Sequence, residues 1–169
     1  MFFPCLENLK RERFPEQSIE IFDWWLGTRR QNTLRNLNPL QFSLDCKIDV
    51  QHSLQLFSQS VYNNKIKLLQ KHVTLICPLC THKISGPIEY LDLSKKYSCK
   101  NCGTVIPSSL IEDNSVVSFE LLQSPESSNT QDSTSTPGLN SGNAPSLRVS
   151  DIQSYVQDDE DIRRLYDNL

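Results

Sequence analysis

"CPLCTHKISGPIEYLDLSKKYSCKNCG", residues 77–103, carries two Cys-x-x-Cys pairs on either side of an eighteen-residue insert. That spacing reads as a zinc site. A Cys-x-x-Cys turn points two thiolates at one edge of a tetrahedron, and two such turns close a four-thiolate shell with metal–sulfur distances of about 2.3 Å. Cys77, Cys80, Cys99 and Cys102 are therefore the candidate ligands of one structural Zn²⁺. Gly103 follows the last ligand and admits the positive φ such a turn needs, while Pro78 stiffens the first pair.

The rival chemistries fit less well. A thioredoxin-like redox centre needs one Cys-x-x-Cys in a βαβ setting. A catalytic zinc keeps a coordination position open, and the deaminase type needs His-x-Glu upstream. Thr74 and Ile84 stand two residues after His72 and His82, so that pattern is absent.

Within the insert, "KISGPIEYLDL" and "KKYSC" are strand-like and "SKK" supplies a turn. This predicts a β-hairpin with a Cys-x-x-Cys turn at each end, a ribbon whose folding the metal decides by on the order of 10 kcal/mol. Downstream, "VVSFELL" alternates, placing Val117, Phe119 and Leu121 on one face.

Upstream, Asn38 caps and Pro39 opens a short helix through about Cys46. Asp49 caps a second, in which Val50, Leu54, Phe57 and Val61 recur at helical spacing. A strand follows, with Val73 and Leu75 on one face and Thr74 and Ile76 on the other. Helix, turn, helix, strand is the outline of a winged helix. Its second helix would turn Gln51, His52, Ser53, Gln55, Ser58 and Gln59 outward, a face with hydrogen-bonding groups but no Arg or Lys for phosphates.

Further upstream, "FPEQSIEIFDWWLG" predicts a helix that opens near Pro15 and ends at Gly27, with Ile19, Phe22, Trp24 and Trp25 as its apolar face. Residues 1–105 hold 14 Lys/Arg against 9 Asp/Glu and residues 106–169 hold 3 against 11, a basic body and an acidic tail. Arg29, Arg30, Arg35, Lys83, Lys95, Lys96 and Lys100 are the candidate nucleic-acid contacts; solvated surface charge is the plainer reading.

From Gln123 a Ser/Thr/Pro-rich stretch has little to bury and predicts a disordered linker. Residues 148–169 regain helical character. Ser150 and Gln153 form a capping-box pattern, Asp159–Arg163 and Glu160–Arg164 are i,i+4 pairs, and Tyr155, Ile162, Tyr166 and Leu169 share a stripe. A lone amphipathic helix cannot cover such a stripe, so these four residues are the candidate partner-binding set, in cis or on another protein.

The expected organisation is thus residues 1–70 helical and helix-turn-helix-like, 71–122 zinc ribbon, 123–147 linker and 148–169 amphipathic helix. The fold class is α+β: a small winged-helix-like N-terminal part packed on a β zinc ribbon, then a disordered tail with a short C-terminal helix. No apolar run spans a bilayer and the N-terminus turns charged early, so a cytoplasmic protein with reduced thiols is expected. Walker A, dinucleotide-loop, His-Glu-x-x-His and Gly-x-Ser-x-Gly patterns are absent, which argues against an enzyme and leaves no small-molecule substrate inferred.

"NPLQFSLDCKIDVQHSLQLFSQSV", with the strand and "CPLC…CKNCG" after it, resembles the winged-helix-like plus zinc-ribbon module at the N-terminus of some bacterial adenylate/guanylate cyclases. The resemblance spans about residues 34–122 and implies the same four cysteine ligands. No cyclase domain follows, so cyclase activity is not implied. The expected function is a non-enzymatic, zinc-binding protein-interaction module, a regulatory or adaptor subunit; the alternative is a nucleic-acid-binding transcriptional regulator.

Overall fold

The computed structural model describes residues 1–12, 14–125, 143–156 and 159–167. It is an α+β fold, built from a helical core, a small antiparallel sheet, a cysteine cluster and a short C-terminal helix. The chain opens with a 3-10 run over Pro4–Glu12 that buries Leu6 and Leu9. The Asp23 carboxylate pins this start by accepting from the backbone N–H groups of Phe2 (2.8 Å) and Phe3 (2.7 Å).

Helix α1 (Glu16–Gly27) buries Ile19, Phe22 and Trp25 and leaves Trp24 at the surface. Helix α2 (Pro39–Cys46) begins where the sequence places it: the Asn38 side chain accepts from Leu40 N at 2.9 Å and Pro39 occupies the first turn. It ends at Lys47, whose φ of 54° reverses the chain into α3 (Val50–Tyr62), capped by Asp49 through His52 N. Phe22, Phe42 and Phe57 meet in the core, with Trp25 and Phe119 packed at its sides.

Strand β1 (Leu69–Ile76) is the centre of a three-stranded antiparallel sheet between β2 (Lys83–Ile88) and β5 (Ser115–Leu121). Its alternation matches the expected one, with Leu69, Lys71, Val73 and Leu75 turned to the core. The outer edge of β5 is also paired: Leu37 bridges Phe119, and Arg148 bridges Val116. Strands β1 and β5 run antiparallel from Leu69↔Leu121 to Leu75↔Ser115, and residues 77–114, which include β2, connect their ends.

The pairing of the insert differs from the expected hairpin. Strand β2 pairs with β1, and β3 (Tyr97–Ser98) pairs with β4 (Val105–Ile106). The reason is local. Each Cys-x-x-Cys turn reverses the chain by itself, so the strands on either side of one turn are natural neighbours.

Residues 126–142 of the expected linker lie outside the described residues. After them the chain joins the sheet: Val117 N donates to Leu147 O (2.8 Å), and Val149 and Ile152 of helix α4 (Val149–Gln153) are buried. The Asp151 carboxylate reaches back to Arg148 N at 2.8 Å, taking the part expected of Gln153. Helix α5 (Glu160–Asp167) then packs on α3, burying Ile162 and Leu165. Asp159 caps it by accepting from Asp161 N and Ile162 N.

This docking corrects the expected outward face of α3. Ser53, Ser58 and Gln59 are buried, not solvated. Ser53 donates to Pro39 O of α2, while Ser58 and Gln59 face α5. Small hydroxyls satisfied on neighbouring backbone let helices approach on a side that composition alone marks as polar.

Lys71 sits on the core face of β1, where its ammonium donates to Leu165 O at the end of α5 (3.2 Å). Burial pulls it down to about 8. Below that pH both folded and unfolded chains carry the charge and the cost of burying it is full. As pH rises from about 8 toward the ordinary lysine value of about 10.4, the folded chain sheds a proton that the unfolded chain keeps, so Lys71 makes stability rise. Denaturant titrations at pH 7 and 9 should show the gap between Lys71→Met and wild type shifting toward wild type on the order of 1 kcal/mol at the higher pH. A pH-independent gap would refute this.

Candidate metal centre

The two cysteine turns repeat one another. Cys77 N donates to His82 O (2.9 Å) and Thr81 N to Cys77 O (3.0 Å); Cys99 N donates to Thr104 O (2.8 Å) and Gly103 N to Cys99 O (2.9 Å). Thr81 (φ 57°) and Gly103 (φ 74°) hold equivalent left-handed positions. A Cβ on Gly103 would meet nothing within 4 Å, so Gly103→Ala carries only the backbone cost, about 1 kcal/mol. Thr81→Gly should instead stabilise by roughly 0.5–1 kcal/mol, the relief of a left-handed side chain less the entropy glycine loses. Thermal unfolding of the metal-loaded variants reads both; equal signs for the two would break the proposed equivalence.

The turns bring the four sulfurs within 4.8 Å of one another, with Cys77–Cys102 at 3.6 Å and Cys80–Cys99 at 3.5 Å. Disulfide sulfurs lie about 2.05 Å apart, far closer than these. A tetrahedron with arms of ~2.3 Å has edges of about 3.8 Å, so a thiolate-bound metal fits the space. Cys77 and Cys99 are buried, and Cys102 lies at the surface. The Thr104 hydroxyl, 3.2 Å from the Cys102 sulfur, holds that thiol down to about 6, and the Asn101 side chain lowers Cys80. Both favour the thiolate, the form that binds metal, whereas burial and the neighbouring Cys80 and Cys102 thiols push Cys99 the other way, up to about 11.

The remaining candidates fall on several elements. Arg29 is spent inside the body, paired with Asp45 and stacked 4.0 Å over the Trp25 ring. Arg30 is exposed, and Arg35 lies 3.8 Å from Glu120. Lys83 is exposed on β2, Lys95 and Lys96 precede β3, and Lys100 stands inside the second cysteine turn. In the tail, Ile162 is fully buried, Tyr155 and Tyr166 are half-buried, and Leu169 lies outside the described residues. Tyr166 donates to Glu112 at 2.9 Å.

Leu147, Val149, Ile152 and Leu165 are buried with Ile162 yet fall off the expected stripe. Their signal was present: "LRV" at 147–149 alternates like a strand, and Leu165 is one helical turn from Ile162. Within the ribbon, Leu79 is 74 %, Tyr90 63 % and Val105 61 % exposed.

Fold and site together define an α+β chain with a four-cysteine candidate metal centre. Comparison with protein-family models, curated proteins and solved structures gives no match. Among the described residues, no helix is long and apolar enough to cross a membrane.

Proposed function

We propose that this chain is a non-enzymatic protein-interaction module, a regulatory or adaptor subunit, in which the four cysteines hold one structural Zn²⁺. The observation that carries the reading is the approach of the four sulfurs to within 4.8 Å of one another: four thiolates around one metal would fill a tetrahedral shell and leave no position for a substrate or activated water. The metal then serves shape. It would fix the ribbon that connects β1 to β5, which presents Leu79 and Val105 to solvent. Exposed apolar groups on a rigid support suit a protein partner. Six cysteines with no disulfide among them suit a reducing, cytoplasmic setting. Nucleic-acid binding is the weaker reading, because Arg29 is committed to Asp45 and an acidic helix lies over α3.

The test is metal analysis combined with affinity capture. The protein as purified should hold one zinc per chain. Leu79→Asp with Val105→Asp should lose its captured protein while zinc content and nuclease-insensitivity are kept. A fully folded metal-free chain, or capture that nuclease abolishes, would overturn the reading.

A further inference from the structure

The contact between α5 and the body has a consistent chemical sense. Across it, the Gln55 amide donates to Asp159, Ser58 Oγ to Asp161 O, Gln59 Nε2 to an Asp161 carboxylate oxygen (2.9 Å), and the Lys71 ammonium to Leu165 O (3.2 Å). The groove thus offers donors, from three neutral side chains and one cation, and the helix offers carboxylate and carbonyl acceptors. Tyr166 runs the other way, toward Glu112. Between these polar contacts, Ile162 and Leu165 fill the apolar floor.

Asp159 does two things at once: one carboxylate oxygen caps α5 and the other takes the Gln55 amide, so helix formation and docking are linked. Eight residues are too few to hold a helix alone in water, and α5 exists because it is docked. A segment held by two buried side chains and a few hydrogen bonds is exchangeable for another that meets the same pattern.

We propose that the groove over α3 is a docking site for an acidic amphipathic helix of a partner protein, and that α5 is its resident competitor in cis. The partner helix carries the chemistry α5 displays: a capping acid, a second acid two residues on, and apolar residues at i and i+3 after it. Tethering gives α5 a high local concentration, so the full chain is closed until a partner outcompetes it. The inference rests on the protein-interaction reading above and moves the regulated surface from the ribbon to α3.

The experiment uses the full-length chain and a fluorescent peptide with this chain's own sequence over residues 155–169. Full-length Ile162→Asp, which empties the groove, should bind the peptide at least tenfold more tightly than wild type. Adding Gln59→Glu to that variant should weaken binding about tenfold by setting like charge against Asp161. Zinc content and helical circular dichroism establish that each variant is folded. Should Ile162→Asp fail to fold, Asp159→Asn with Asp161→Asn serves in its place with the same expected direction. Equal binding by wild type and the opened chain, or none by a folded opened chain, overturns the proposal. So does salt-sensitive binding of duplex DNA in place of the peptide. Leu79→Asp should leave peptide binding unchanged, so failure of the ribbon surface and failure of this groove are read separately.

Discussion

Cys99→Ser should abolish metal retention under mild chelation and leave residues 95–106 around the second cysteine turn unprotected in amide exchange, while the helical core and the pairing of β2 with β1 stay folded. Cys99 is buried, and its sulfur sits 3.5 Å from Cys80 and close to the other two. A structural Zn²⁺ in a small module contributes roughly 10–16 kcal/mol at neutral pH, and a serine hydroxyl is a poor replacement for a thiolate. β2 is held by its pairing to β1, but beyond it the second cysteine turn has only β3 with β4, two residues long in each strand, as a sheet of its own. By contrast, the ring cluster on α1, α2, α3 and β5 does not depend on the cysteines. Cys5→Ser and Cys46→Ser are the controls, since both thiols stand apart from the cluster, and neither should change metal content. Retention of a full equivalent of metal by Cys99→Ser would exclude the four-thiolate site.

Phe57→Ala should destabilise the body by about 3–5 kcal/mol, the range for emptying a buried aromatic position. Phe57 is fully buried and meets Phe119 at 5.0 Å, Phe22 at 5.2 Å, Phe42 at 6.1 Å and Trp25 at 6.2 Å between ring centroids. Four rings facing one position leave a cavity that cannot collapse without shifting three helices and a strand. Against a whole-domain stability of about 5–15 kcal/mol this is a large share, and a fall in Tm on the order of 10 °C is expected. Denaturant unfolding followed by tryptophan fluorescence measures it. A cost below about 1 kcal/mol would mean that Phe57 is not at the centre of the core.

Features set by neighbours in the chain are legible in the sequence. Asn38, Pro39 and Asp49 mark their helices because a cap needs only the next two or three backbone N–H groups. Alternation in β1 survives because one face of that strand is covered. The cysteine cluster is legible because each pair shapes its own turn. Sequence reasoning goes astray where a polar residue serves an internal contact. Ser58 and Gln59 look solvated but meet Asp161, and Arg29, a candidate anion contact, is held by Asp45 beside Trp25.

Spacings of a few residues were enough to settle the candidate ligand set, the helix starts and the presence of an acidic amphipathic tail. Three features needed the folded chain: β1 reaches across the ribbon to β5, Leu147 and Arg148 join the edge of that sheet, and α5 lies on α3. Local geometry fixes what each segment can form. Which segment covers which is a competition among distant partners for the same apolar surface and hydrogen-bonding groups, and that outcome belongs to the folded chain as a whole.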